Sequence, residues 1–261
     1  MKIGVYHGCH NTFVVTMFED NVNYSEMAIN LCIKYNTDGF LILKKDPLEM
    51  LFYNADGSRA PMCGNGIRCF ARFAYDLGYK IDDWTDVVTL GGLMKIKITS
   101  YDPFTVITSL GKPNFSSSKL DINTSLDNFI NQNILVHNNT YQVSCVFLGT
   151  HHAVIFVDDF DNLPGKLICE HKLFKSQINV NFVKIINRNK IFVKTYERGV
   201  GWTKACGTGA SSSYVISKLM GFVDNEITVD FIGGSVKLSS IEDIIFMEGP
   251  AEIIMEVTDE E

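Results

Sequence analysis

Two cysteines stand in nearly the same local sequence, Cys63-Gly64-Asn65-Gly66 and Cys206-Gly207-Thr208-Gly209. Behind the first, apolar residues recur at Ile67, Phe70, Ala71 and Ala74, and Gly78 stands where a helix would stop. Behind the second, Ala210-Ser211-Ser212-Ser213-Tyr214-Val215-Ile216 runs on to Gly221. Both read as a glycine-rich turn opening a helix. Glycines let a ligand approach the backbone, and the first N–H groups of a helix point outward, unpaired, at its positive end. Such a turn suits a carboxylate or phosphate, and it stabilises a thiolate placed beside it. Neither turn has the lysine of a P-loop, and Cys69 and Ser212 stand where a dinucleotide fingerprint needs its third glycine. A lone cysteine is most often a small buried hydrophobe. Two at matching positions, each before a helix, argue for chemistry instead. Opposed thiols around one carbon suit stereoinversion: one thiolate removes the α-proton and the other thiol returns a proton to the opposite face. The helix ends would hold the α-carboxylate and stabilise the charge that develops on it.

The elements that must position these turns form an internal repeat. Val5–Val15 aligns with Val146–Phe156 at an offset of 141, Gly8 falling on Gly149. Tyr53-Asn54-Ala55-Asp56-Gly57, leading to Cys63, matches Tyr196-Glu197-Arg198-Gly199-Val200, leading to Cys206, at 143. Gly91-Gly92-Leu93 matches Gly233-Gly234-Ser235 at 142. A period this long marks a domain duplication. Residues 11–16 and 143–148 are β-rich runs, Lys95–Thr99 alternates as a half-buried strand does, and Ser25–Tyr35 has a helical face of Met27, Ala28, Leu31, Cys32 and Tyr35. Each half thus mixes many strands with few helices. The polar, turn-rich Lys112–Lys119 reads as the joint, and Gly249-Pro250 echoes Gly111-Lys112-Pro113. The expected halves are 1–112 with 249–261, and 113–248. Facing about a pseudo-twofold axis, they would oppose the two thiols across a cleft.

Composition narrows the class. The 261 residues are 46% hydrophobic and 20% charged, which fits an ordinary globular protein rather than a disordered chain, collagen or coiled coil. A net charge of −7 argues against nucleic acid as a partner, and no uninterrupted apolar run is long enough to span a membrane. The opening residues lack a signal peptide's apolar core, which points to the cytoplasm, where thiols stay reduced. Seven cysteines without a CxxC spacing fit neither a disulfide framework nor a structural zinc site. No pyridoxal lysine motif and no clear metal cluster is evident, so the expected chemistry needs neither cofactor nor metal.

These residues resemble the diaminopimelate epimerase family. The segments that carry the resemblance are Asn54–Ser58, Cys63–Phe73, Tyr196–Gly201 and Thr203–Ala210. Weaker echoes lie at Gly8 with Asn11 and Phe13, at Asp38-Gly39, Leu110–Phe115, Asn179 and Gly249-Pro250. The resemblance implies an α/β (α+β) fold of two pseudo-symmetric halves. Each is a curved, mostly antiparallel sheet around a central helix, with the active site in the cleft between them. It implies a pyridoxal-independent two-base isomerase, commonly a homodimer, taking LL-diaminopimelate to the meso form in lysine and peptidoglycan precursor synthesis. Cys63 and Cys206 would be the acid/base pair. The backbone of Gly64-Asn65 and Gly207-Thr208 would hold the reacting carboxylate. Asn54, Asn179, Glu197 and Arg198 would hold the distal amino-acid end, with Asn11 and Thr150 also on the substrate. The planar fork of Arg198 matches a carboxylate, and Glu197 suits an ammonium.

Departures from the family pattern bear on the substrate. Thr12 stands where the family usually has Asp, His10 where a small residue is common, and Thr150-His151 replaces an Asn-Pro pair. Trp202 replaces a Glu, losing a charge and adding bulk near the second turn. Related racemases of other amino acids, histidine among them, share the paired cysteines, and an imidazole could stack on Trp202. Isomerases like the phenazine-biosynthesis enzyme lack the pair. A non-catalytic carboxylate-binding module is the remaining class. Plainer readings attach to other residues. Asp56 in Asp-Gly-Ser is a turn former before it is an acid, Cys69 is packing, and Asp158, Asp159 and Asp161 form a solvated turn. His151 and His152 point to opposite faces of a strand and suit no single ion, although His152 is a candidate substrate contact. Arg68 and Arg72 form either a solvated face or a salt-bridge pair.

Overall fold

The computed structural model describes residues 2–81 and 83–257. The chain first forms β1 (Ile3–Gly8), β2 (Asn11–Met17), α1 (Tyr24–Tyr35), β3 (Gly39–Lys44), β4 (Glu49–Asn54), β5 (Arg59–Ala60), α2 (Gly64–Asp76), β6 (Thr85–Thr89), β7 (Gly92–Tyr101) and β8 (Phe104–Gly111). It continues through β9 (Gln132–Val136), β10 (Asn139–Leu148), β11 (Thr150–Phe156), α3 (Gly165–Cys169), β12 (Asn179–Asn187), β13 (Lys190–Glu197), β14 (Gly201–Thr203), α4 (Gly207–Leu219), β15 (Glu226–Phe231), β16 (Gly234–Ile241), β17 (Ile244–Pro250) and β18 (Glu252–Val257). Residues 2–109 with 248–257 make one compact unit and residues 110–247 the other.

In the first unit β1 pairs antiparallel with β2, β2 parallel with β3, and β3 antiparallel with β4. β4 then takes β5 antiparallel and β6 parallel, and β6 pairs antiparallel with β7. The second unit repeats this step for step through β10, β11, β12, β13, β14, β15 and β16. β18 lies antiparallel to β1 as β9 does to β10. The duplication read from three sequence landmarks is therefore a duplication of strand pairing.

Each sheet is covered on both faces. In the first unit α2 packs against β1, β2, β3, β4 and β7, while α1 packs against β2, β3 and β4. That is why β2 and β3 are near-continuous apolar runs: Val14, Phe40 and Ile42 face the α1 cluster, and Phe13, Val15, Leu41 and Leu43 are buried alternately with them. α1 starts one residue before the expected Ser25, capped by Asn23, and stops at Asn36 in the left-handed region. Ala28 and Cys32 are buried on its inner face, with Met27, Leu31 and Tyr35 packed beside them, as the spacing requires. α2 ends as Gly78 predicts: Gly78, at φ 84°, donates to the Tyr75 carbonyl, and Tyr79 donates to that of Ala74. In the second unit α4 packs against β10, β11, β12, β13 and β15, and α3 against β12, β13 and β14.

The register corrects the first of the three offsets. The β1–β2 turn has two residues, Cys9 and His10, both at positive φ (55° and 61°), the geometry that fits a two-residue hairpin. The β10–β11 turn is Gly149 alone, and Leu148 pairs directly with Thr150. Gly8 pairs with Asn11, so the counterpart of Asn11 is Thr150 and not His152. The parallel register agrees, with Phe13 opposite Gly39 where His152 is opposite Asn179. An alignment on glycines alone cannot detect that one turn is a residue longer than the other.

Candidate active site

Both thiols occupy the same local position. Cys63 is the N-cap of α2 (φ −136°, ψ 123°), and its Sγ accepts from the Gly66 amide at 3.4 Å. Cys206 is the N-cap of α4 (φ −130°, ψ 108°), and its Sγ accepts from the Gly209 amide at 3.4 Å. The bond that a serine or aspartate usually accepts at this position goes here to sulfur. An amide donor and the positive helix end both favour the thiolate over the thiol. Each turn leaves its remaining first-turn N–H groups without a helical acceptor.

The β1–β2 hairpin brings Asn11 to the first turn, its Oδ1 lying 3.8 Å from Cys63 Sγ as acceptor. Asp38 fixes the next residue: its Oδ2 accepts from the Thr12 amide at 2.7 Å and hydroxyl at 3.0 Å, and the Asp38 amide donates to the Thr12 carbonyl. Asn54, at the end of β4, donates to Ser58 Oγ at 2.9 Å. Asp56 accepts from the Ser58 amide and hydroxyl, which holds its carboxyl below the usual range. It is the turn former its sequence suggests. Cys69 is fully buried, and burial pushes its thiol up, so packing is its role.

Arg72 pairs with Asp76 at 2.9 Å, whereas Arg68 does not lie on a solvated face. It is completely buried, with Nη1 donating to the Gly64 carbonyl at 3.0 Å and Nη2 to Asn65 Oδ1 at 3.0 Å.

The second unit gathers a larger part of the expected set. Asn179 donates to Thr150 Oγ1 at 3.3 Å and to the His151 carbonyl at 3.0 Å, and its Oδ1 accepts from the Arg198 amide at 2.9 Å. Arg198 is exposed and donates through Nη1 to the Ser176 carbonyl at 2.8 Å. Beside it Glu197 accepts from Thr203 Oγ1 at 2.7 Å. Thr208 turns its hydroxyl to Cys206 Sγ at 3.6 Å. Glu197 and Asn54 end equivalent strands, β13 and β4, so one repeated position supplies a carboxylate in one unit and an amide in the other.

The family model for diaminopimelate epimerase matches residues 4–116 and 144–254 of this chain. The chain belongs to the diaminopimelate epimerase family. Curated members similar to it include the diaminopimelate epimerase of Alkaliphilus metalliredigens, 36% identical over 97% of this chain and 95% of that protein. That of Methanocella arvoryzae is 37% identical over 98% of this chain and 95% of its own length. This family member is accordingly an isomerase, an amino-acid epimerase. Its fold recurs in a Bacillus anthracis phenazine biosynthesis protein of the PhzF family (TM-score 0.71, 13% identity, 98% of each chain). It recurs also in a probable proline racemase of Agrobacterium radiobacter (TM-score 0.69, 12% identity, 98% of this chain and 92% of that one).

Trp202, which departs from the family pattern, has a definite place in this epimerase. Trp202 pairs with Tyr196 and meets its ring edge-on at 5.4 Å, with Phe182 at 5.9 Å and Gly165 of α3 beside it. Glu197 and Thr203 alternate with these residues and lie on the other face of the sheet. The α4 side of the sheet carries Asn181 and Thr195, both close to Gly209. Trp202 thus adds bulk to the α3 side, and stacking of a substrate imidazole on it, weighed from the sequence, has no support in this geometry.

His152 is not a substrate contact either. It is completely buried, its Nδ1 3.1 Å from Asn181 Nδ2, while His151 packs its ring on Phe147 at 5.5 Å on the opposite face. Asn181 also donates to the Ala153 carbonyl and accepts from Thr195 Oγ1 at 3.0 Å. The amide nitrogen can only donate, so His152 Nδ1 accepts and the proton sits on Nε2. Asn181 and Thr195 were not singled out in the sequence; the alternation Asn179-x-Asn181 on one strand is the signal that would have found the first.

Burial pushes the His152 imidazolium down to about 3. The unfolded chain binds that proton near pH 6.5 and the folded chain does not, so stability is full above this range and falls as the pH is lowered from it towards 3. One such group contributes a slope of up to about 1.4 kcal/mol per pH unit. Urea midpoints measured between pH 7 and 5 should show this fall, and His152→Gln should flatten it. An equal slope in the variant would assign the acid sensitivity to other groups.

Proposed function

We propose that this family member inverts one α-carbon of diaminopimelate, taking the LL isomer to the meso isomer, by a two-thiol reaction that needs no cofactor. The observation that carries the reading is the repeated thiol N-cap: two cysteines in one geometry, each accepting a backbone amide at 3.4 Å. The reaction needs both thiols at one carbon. The thiolate of one takes the α-proton, forming S–H as Cα–H breaks. The other thiol gives its proton to the opposite face, and its sulfur is left as thiolate. No electrons are lost, and the reverse reaction exchanges the two roles. The Gly64-Asn65 and Gly207-Thr208 amides receive the reacting carboxylate, whose charge grows as the proton leaves. Arg198 takes the distal carboxylate and Glu197 the distal ammonium, in a shell completed by Asn11, Asn54, Thr150 and Asn179. The same reading places the enzyme in the cytoplasm, in lysine and peptidoglycan precursor synthesis, as a homodimer of twice the 29.3 kDa chain mass. Among the described residues no helix is long and apolar enough to cross a membrane.

The test is incubation of the reduced enzyme with LL-diaminopimelate in deuterium oxide. Deuterium should enter at the α-carbon as meso product accumulates. Absence of both, with turnover of another amino acid from a panel that includes histidine, would move the substrate assignment. Absence of turnover on every member, with carboxylate binding that survives a Cys63→Ala, Cys206→Ala double change, would make the chain a binding module.

A further inference from the structure

We propose that Arg68 is a positioning residue for the first thiol turn, a charged brace that the second turn does not share. The inference rests on the reading of Cys63 as an acid/base. Three separate pieces of the first unit meet on this one guanidinium. Nη1 holds the Gly64 carbonyl and Nη2 the Asn65 side chain, both in the turn itself; Nη2 also reaches Cys9 Sγ at 3.5 Å, in the β1–β2 hairpin. Nε donates to the Pro250 carbonyl at 3.1 Å. The hairpin lies directly on the brace: a Cβ at Gly8 would come 3.1 Å from Arg68 Nη2 and 3.3 Å from the Asn65 and Pro250 carbonyls. Three residues further on, that hairpin delivers Asn11 to Cys63 Sγ. Arg68 therefore sets both the peptide planes of the turn and the side chain facing the sulfur. A completely buried guanidinium is costly to desolvate, and its planar fork is what a lysine cannot reproduce.

The second unit performs the same task without a charge. The residue equivalent to Arg68 is Ser211, whose hydroxyl donates to the equivalent carbonyl, that of Gly207, at 2.8 Å. The equivalent of Asn65 is Thr208, and its hydroxyl turns to Cys206 Sγ rather than to a brace. Titratable groups around Arg68 include Cys9, pushed up by burial and held back by Arg68, and Cys69, buried behind the turn, on which Cys63 also acts; Glu252 acts on Cys9 from β18. The two thiols thus share a capping geometry and differ in what holds it, and loss of Arg68 should be felt by Cys63 alone.

The experiment measures iodoacetamide alkylation of Cys63 and Cys206 in the same full-length molecules, resolved by peptide mass, for the parent, Arg68→Met and Arg68→Lys. In Arg68→Met the Cys63 rate should fall about tenfold relative to that of Cys206, because the cation and the turn geometry that favour its thiolate are both lost. Arg68→Lys, which restores charge without the fork, should recover part of it. Gly8→Ala, which leaves Arg68 in place but presses on it, should lower the same ratio and serves where the Arg68 variants do not fold. A ratio that stays at the parent value or rises, or two rates that change together with a lowered melting temperature, would make Arg68 a structural residue only and overturn the proposal. None of these readouts needs diaminopimelate to be the substrate, so failure of that assignment would be seen separately, in the exchange assay.

Discussion

Alanine at either Cys63 or Cys206 should lower stereoinversion by at least about 10³-fold, within the range that a positioned acid/base supplies. The size follows from the stereochemistry. Inversion needs one group on each face of the α-carbon, so removing either stops both directions. α-Proton exchange should respond differently. With one thiol gone, the other still faces one hand of substrate, and it can remove the proton and return a deuteron to the same face. Each single variant should therefore exchange the α-proton of one stereoisomer with retention, and the two variants should prefer opposite stereoisomers. Loss of the sulfur's bond to the Gly66 or Gly209 amide costs the cap about 1 kcal/mol, too little to unfold the chain. Melting curves taken beside the rates separate the two effects. Inversion retained within tenfold in either variant would remove that cysteine from the mechanism.

Much of this architecture could be read from the sequence because the relevant signals are local. Gly78 ends α2 in the left-handed region that glycine adopts readily, and each Cys-Gly-x-Gly turn opens a helix whose N-cap is the cysteine itself. Equivalent sequence then implied equivalent pairing, and the two units do repeat one order of strands. What was not legible depends on partners distant in the chain. Arg68 and Arg72 read equally as a solvated face or a salt-bridge pair until Gly8, Cys9 and Pro250 are seen to close over Arg68. Trp202 looks like a substrate-side change until its pairing with Tyr196 puts it on the α3 side. His152 looks like a site histidine until the one-residue difference between hairpins moves the match of Asn11 to Thr150. Periodicity assigns a residue to a face, but only register says which face meets the substrate.

The last glycine of each turn gives the sharpest contrast in stability. Gly66 and Gly209 occupy the same helical position, where alanine would ordinarily gain up to about 1 kcal/mol of helix propensity. At Gly66 the added Cβ would sit 3.2 Å from Cys63 Cβ and 3.3 Å from Leu41 Cδ2, and a leucine methyl can yield. At Gly209 it would overlap Asn181 Oδ1, with Thr195 Oγ1 at 3.0 Å and Cys206 Sγ at 3.2 Å. Asn181 cannot yield cheaply, because its amide is committed to His152, Ala153 and Thr195 in a fully buried network. Overpacking against such a group outweighs the propensity gain, so Gly209→Ala should destabilise by about 3 kcal/mol while Gly66→Ala costs about 1 kcal/mol or less. The displaced cap should also lower turnover through Cys206. If the overlap with Asn181 is the cause, Asn181→Ala will couple to Gly209→Ala, and the double variant will be more stable than the sum of the singles by about 1 kcal/mol or more. Strict additivity in urea melts, or a Gly209→Ala protein as stable as the parent, would mean that α4 shifts freely in its sheet and that the second thiol is not held by the contacts described above.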